Sequence, residues 1–185
     1  MKSLSKEQKK RISKRLSYVL RHHPSSIGLT LDQEGWTKVD ELLQALKKHG
    51  LTVTPSMLKE VVDTNDKKRF AFSPDGLSIR ANQGHSIDIN LGLDPKDPPV
   101  QLYHGTATRH LDSIKATGLE KRNRQHVHLS PDEKTALKVG GRHGKPVILI
   151  IRALAMHQDG YPFFESKNGV WLTDEVPVKY IEFPD

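Results

Sequence analysis

The sequence predicts an α+β protein built in two lobes. Three observations carry that expectation: three amphipathic helical segments followed by a short β-hairpin, a proline-rich stretch near mid-chain, and a second half in which β-type runs outnumber helical ones. Residues 6 to 22 carry Ile12, Leu16, Val19 and Leu20 at i, i+4, i+7 and i+8, one apolar stripe on a cationic helix that Pro24 stops. Thr37 is the expected N-cap of a second helix through Val39, Leu42, Leu43 and Leu46, with Gly50 at C′. A third starts at Thr54 with Pro55 at N1 and runs through Leu58, Val61 and Val62 to near Asn65. Two β-type runs follow, Arg69 to Phe72 and Leu77 to Ile79, joined by Ser73, Pro74, Asp75 and Gly76, a turn composition. Three helices and a hairpin make a winged-helix-like lobe.

Between Asn90 and Pro99 three prolines and a glycine break regular pairing, so a linker is expected there, dividing residues 1–95 from 96–185. Beyond it, strands are expected at Val100 to Tyr103, His126 to Leu129, Pro146 to Ile151, Gly169 to Leu172 and Val178 to Phe183. Helical segments fall at Thr108 to Thr117 and Pro131 to Val139.

Composition narrows the chemistry. The 185 residues are 35% hydrophobic and 28% charged, too balanced for wholesale disorder, and no apolar run nears the about 20 residues that span a bilayer. Zero cysteines exclude disulfides, thiolate nucleophiles and Cys-type zinc sites. The basic N-terminal segment lacks an apolar signal core, so a cytoplasmic location and no membrane association are expected. A formal charge of +7 favours anionic partners such as nucleic acid or phosphorylated substrates, and a solvated surface accounts for it equally.

No paired carboxylates, G-x-S-x-G or H-E-x-x-H are readable. Arginine and histidine instead gather beside small, turn-forming residues in LRHHP (20–24), DKKRF (66–70), RANQGHS (80–86), YHGT (103–106) and RQHVHLS (124–130). Guanidinium forks bind phosphate oxygens in pairs, and glycine lets backbone N–H groups approach an anion. Each segment also has a structural explanation. Arg21 and His22 suit a helix C-terminus, Arg69 suits a charged strand edge, and His104 suits a hydrogen-bonded core histidine. His126 and His128 share a strand face but have no third metal ligand in register, so no metal is expected. The run Val139-Gly140-Gly141-Arg142-His143-Gly144 is glycine-rich without the spacing of a phosphate loop.

Those five segments together with NGVWLT (168–173), in this order, resemble the NAD-dependent RNA 2′-phosphotransferases, the tRNA 2′-phosphotransferase family, from Leu16 to Phe183. The resemblance implies a winged-helix-like RNA lobe followed by an ADP-ribosyltransferase-like lobe. It implies a two-step reaction without metal, in which NAD⁺ is consumed as co-substrate. An internal RNA 2′-phosphate, of the tRNA splice-junction type, attacks C1″ of NAD⁺ and expels nicotinamide. The 2″-hydroxyl of the resulting RNA-phospho-ADP-ribose then releases 2′-OH RNA and ADP-ribose 1″,2″-cyclic phosphate.

By the same resemblance the catalytic set is Arg21, Arg69, His104 and Arg124, and NAD⁺ contacts are Gly105, Thr106, Ser130 and Asn168. His22, Lys67, Asn82 and His85 form the RNA-phosphate shell. No carboxylate stands in Asn168-Gly169-Val170-Trp171, where many ADP-ribosyltransferases carry one. A 2′-phosphate is already a nucleophile and needs no such base. The expected partner is 2′-phosphorylated RNA, and the expected state a monomer. Two other functions stay open at this point: an ADP-ribosyltransferase that caps terminal phosphates of nucleic acid, and a non-catalytic winged-helix binding module.

Overall fold

The computed structural model describes residues 3–142 and 144–184. It is α+β with small antiparallel sheets, and the chain divides after Gly92 into two compact units.

The first unit runs α1 (Lys6–Arg21), β1 (Thr37–Lys38), α2 (Val39–Lys48), α3 (Pro55–Asp63), β2 (Phe70–Phe72) and β3 (Ser78–Ala81). A capping box opens α1: Ser5 accepts from the Gln8 N–H while the Gln8 side chain accepts from the Ser5 N–H. The stripe Ile12, Leu16, Val19 and Leu20 is buried against Leu42, Leu46, Leu58 and Ile79. Each fully buried leucine contributes roughly 2 to 3 kcal/mol from area removed from water. Thr54 caps α3 by accepting from the Met57 N–H, with Pro55 in the first turn.

Thr37 departs from its expected role. It is buried in β1 opposite Ile79, and α2 starts after Lys38 with no side-chain cap. The Val39 N–H donates instead to the Leu77 carbonyl at 2.9 Å. A hairpin carbonyl thus satisfies a donor that a cap would have served. Sheet order is β1-β3-β2, with Phe72 opposite Ile79 and Phe70 opposite Ala81. The hairpin turn closes at Gly76, whose φ of +73° suits glycine.

The second unit runs β4 (Leu102–Ala107), α4 (Leu111–Thr117), β5 (Leu119–Glu120), β6 (Val127–Leu129), α5 (Glu133–Gly140) and β7 (Pro146–Ile151), then α6 (Ala153–Gln158), β8 (Phe164–Glu165), β9 (Trp171–Thr173), β10 (Glu175–Val176) and β11 (Ile181–Glu182). Its sheets are β11-β7-β4, β6-β9-β8 and the pair β10-β5. A double backbone bond between Tyr103 and Ser130, 2.9 and 2.7 Å, ties β4 to the end of β6. The proline-rich stretch is not wholly unpaired, because Pro95 bridges Phe164 and the Lys96 N–H donates to the Phe163 carbonyl at 2.8 Å.

Three expected strands are displaced, the one expected at Gly169 to Leu172 running Trp171–Thr173. The first begins at Leu102, not Val100, and continues through His104, Gly105 and Thr106. The last is a 3₁₀ turn over Val178–Tyr180 before β11 begins. Gly105 lies inside β4, where glycine ordinarily weakens a strand. A Cβ there would stand 1.6 Å from the Ala136 carbonyl oxygen, and one at Gly140 would stand 2.6 Å from the Thr106 carbonyl oxygen. Both glycines are required by the close approach of α5 to β4.

Candidate active site

In the first unit, backbone hydrogen bonds gather three of the arginine- and histidine-bearing segments. The Ser86 N–H donates to the Arg21 carbonyl at 3.0 Å, and Ser86 Oγ shares a 2.9 Å hydrogen bond with His22 Nδ1. RANQGHS therefore holds the C-terminal end of α1. The Asn82 N–H donates to the Arg69 carbonyl at 2.9 Å, and Asn82 Nδ2 donates to the Lys68 carbonyl at 2.5 Å. The same segment thus also holds DKKRF. Lys68 sits at φ +40°, a left-handed conformation that costs a non-glycine residue about 1 kcal/mol or more. The Asn82 amide on its carbonyl and the Asn65 carbonyl on its N–H, at 2.8 Å, hold it there, immediately before Arg69.

Arg21, His22, Lys67 and Arg69 are half-buried. Burial draws the Arg69 guanidinium below its ordinary value, and it stays charged at neutral pH. Asn82 and His85, expected among the RNA-phosphate contacts, are buried, His85 to 1% exposure. Their side chains face the interior of the unit because β3 and the turn after it pack inward. Asn82 acts on the Lys68–Arg69 backbone. Neither ring nitrogen of His85 has a hydrogen-bond partner among the described residues. Burial, then the charges of Arg21, His22 and Arg80, push its pKa down to about 4, so the ring is neutral at pH 7.

In the second unit, the Tyr103–Ser130 bonds bring YHGT beside RQHVHLS. His104 Nδ1–H donates to the His128 carbonyl at 3.0 Å, the tautomer in which Nε2 is the ring's one possible acceptor nitrogen. Arg124, exposed, donates from Nη1 to His128 Nδ1 at 3.1 Å. His126 is half-buried against Phe164, ring centroids 5.8 Å apart, and burial lowers its pKa.

Of the expected NAD⁺ contacts, Gly105 and Thr106 are buried in β4 with Gly105 beneath α5. Ser130 carries the bridge to Tyr103, and Asn168 lies in a turn where Ser166 Oγ donates to its Oδ1 at 2.6 Å. The glycine-rich run serves packing at Gly140, and its His143 lies outside the described residues.

Ser86, Lys68 and Gly140 also shape these segments, though none is among the expected site residues. Ser86 was visible as the last residue of RANQGHS. Lys68 closes a local turn on the Asn65 carbonyl at 2.8 Å, but its bond to Asn82, fourteen positions on, leaves no local signal.

The sequence profile described as "RNA 2'-phosphotransferase, Tpt1 / KptA family" matches residues 7–175. The chain belongs to this family. A protein of Pectobacterium carotovorum subsp. carotovorum (strain PC1), titled "Probable RNA 2'-phosphotransferase", is 55% identical over 172 residues, 92% of each chain. One of the same title from Flavobacterium johnsoniae is 54% identical over 94% of this chain and 96% of its own. Another, from Streptomyces coelicolor, is 51% identical over 98% of both. As a member of the RNA 2′-phosphotransferase family, the chain is an enzyme of the transferase class. All six motif segments fall inside the matched span, as do Ser86, Lys68 and Gly140. Among the described residues, no helix is long and apolar enough to cross a membrane.

Proposed function

We propose that this protein removes an internal 2′-phosphate from RNA by transferring it to NAD⁺, in the two steps the sequence resemblance implies. The observation that carries the reading is the family match across residues 7–175. The first unit, three helices and a hairpin, fits a winged-helix-like RNA lobe, and the second an ADP-ribosyltransferase-like lobe that holds NAD⁺.

In the first step the phosphate oxygen bonds to C1″ and the C1″–nitrogen bond breaks, nicotinamide leaving with the electron pair. In the second, the ribose 2″-oxygen bonds to phosphorus, the bond to the RNA 2′-oxygen breaks, and that oxygen takes up a proton. Negative charge gathers on the phosphate oxygens in the second transfer, and the guanidinium groups of Arg21, Arg69 and Arg124 stabilise it. His104, with its acceptor nitrogen set by the His128 carbonyl, accepts or orients the ribose hydroxyl proton. His22, anchored by Ser86, binds the RNA phosphate. A cytoplasmic, monomeric enzyme acting on tRNA-like RNA completes the reading.

The test is direct. A 2′-phosphorylated oligoribonucleotide incubated with the protein loses its phosphate and yields nicotinamide only when NAD⁺ is present. Phosphate loss without NAD⁺, or none with it, overturns the proposal.

A further inference from the structure

The solvent face of α1 presents Lys10, Arg11, Lys14, Arg15 and Tyr18, at i, i+1, i+4, i+5 and i+8, opposite the buried stripe. With His49, Gly50 and Leu51 from the turn after α2, they line an open groove of about 590 Å³ whose one carboxylate is Glu7. The cations are not tied down. Lys9, just outside, pairs with Glu60 at 2.9 Å, whereas Lys10, Arg11, Lys14 and Arg15 make no ion pair among the described residues.

The groove also has an aromatic floor. Tyr18 is 42% exposed, large for an aromatic side chain. The Arg15 guanidinium lies 5.7 Å from its ring centre, and the His23 ring centre lies 4.9 Å away. The line of cations thus runs to the end of α1, next to Arg21 and His22, over about 16 Å at 1.5 Å per residue.

We propose that this groove is a second RNA-binding site, a track for the sugar-phosphate backbone flanking the reacting nucleotide, with Tyr18 stacking on a base; it rests on the RNA substrate proposed above. Guanidinium and ammonium groups spaced along a helix match a line of phosphates. An exposed aromatic ring among them is how single-stranded nucleic acid is held without sequence readout. A membrane surface fits less well, since the groove is concave and contributes only Leu51 as an aliphatic side chain.

The groove is tested first by binding, independently of turnover. Fluorescence anisotropy of a long stem-loop RNA with no 2′-phosphate gives the affinity and its salt dependence for the wild type. The same is measured for a variant combining Lys10→Gln, Arg11→Gln, Lys14→Gln and Arg15→Gln, and for Tyr18→Leu. The four-site variant is expected to bind at least ~10-fold more weakly and to lose about 3 from the slope of log affinity against log salt. Tyr18→Leu is expected to lose about 10-fold with its slope unchanged.

Turnover then separates this claim from the reaction itself. With NAD⁺, a trinucleotide carrying an internal 2′-phosphate is expected to have the same kcat and KM in wild type and variants, while KM for the long RNA rises in the variants alone. Retained trinucleotide turnover also reports an intact fold. Wild-type affinity and salt slope in the four-site variant overturn the track, as does equal KM for long and short RNA in the wild type. Binding to phosphatidylserine vesicles that the four substitutions abolish, with RNA affinity untouched, overturns it in favour of a lipid surface. A wild type that binds long RNA through these residues but leaves the trinucleotide unchanged overturns the reaction and keeps the track.

Discussion

His22 Nδ1 and Ser86 Oγ share a hydrogen bond at 2.9 Å, and the Ser86 N–H donates to the Arg21 carbonyl at 3.0 Å. One residue of the loop after β3 therefore sets both the imidazole plane of His22 and the final turn of α1. Ser86→Ala keeps the backbone bond and removes the other. Turnover is expected to fall about 10-fold for roughly 1 kcal/mol of lost stability, the usual net worth of one hydrogen bond. Steady-state kinetics alongside thermal melting checks this.

Asn82 offers a parallel case. Asn82→Ala removes the amide that holds the Lys68 carbonyl and so one of the two bonds that keep the residue before Arg69 at its φ of +40°. Activity is expected to fall by more than the stability loss accounts for. Pairing the change with Lys68→Gly, which removes the conformational cost, is expected to recover stability but not turnover. Urea unfolding and kinetics of the single and double variants decide it.

The arginines should separate the chemical steps. Substituting Arg21, Arg69 or Arg124 by Ala removes a donor worth roughly 3 to 4 kcal/mol at developing charge, on the order of 10² to 10³ in rate. The second transfer should suffer more, so RNA-phospho-ADP-ribose is expected to accumulate in a single-turnover time course. Thr106→Ala, on the side expected to hold NAD⁺, should slow the first step and show no such species. Arginine variants that bind RNA weakly but never show the intermediate would mark these side chains as anchors only.

Gly105 and Gly140 are expected to tolerate no side chain. A Cβ at Gly105 would lie 1.6 Å from the Ala136 carbonyl oxygen, a backbone atom that moves only if α5 does. Gly105→Ala should cost about 3 kcal/mol or more by overpacking, and Gly140→Ala should follow it. Urea midpoints measure both.

His85 predicts a pH dependence. Its folded pKa of about 4 lies below the ordinary 6.5, so the unfolded chain binds more protons between those values and stability falls as pH drops through that window. Above it the ring is neutral in both states and contributes nothing. From pH 7 to pH 5 the loss is expected to be about 2 kcal/mol. His85→Leu should remove that share, which comparing unfolding of the two proteins at both pH values measures.

The parts legible in the sequence are those fixed by local chemistry. The buried stripe of α1, the Thr54–Pro55 start of α3 and the Pro-Asp-Gly hairpin follow from spacing and capping alone. Thr37 misled because a hairpin carbonyl distant in sequence took over the donor its hydroxyl would have served. Gly105 hid the length of β4 for the same reason: its meaning lies in α5. The six residues of α6 carry no side-chain cap and gave no local signal. Around the site, the segments rich in arginine and histidine were visible, but not that Asn82 and His85 point inward. Burial of a polar side chain is decided by the turn that carries it.

The bond from His104 to residue 128 ends on a main-chain oxygen, whereas the bond from Arg124 ends on the imidazole of that residue. Two influences meet at one position, yet only one of them is encoded there. Saturation mutagenesis at 128 would leave the ¹⁵N resonances of the His104 ring where they are while releasing the Arg124 guanidinium. The proton on His104 is thus insulated from sequence drift at its neighbour, whereas the Arg124 contact depends on the imidazole at 128.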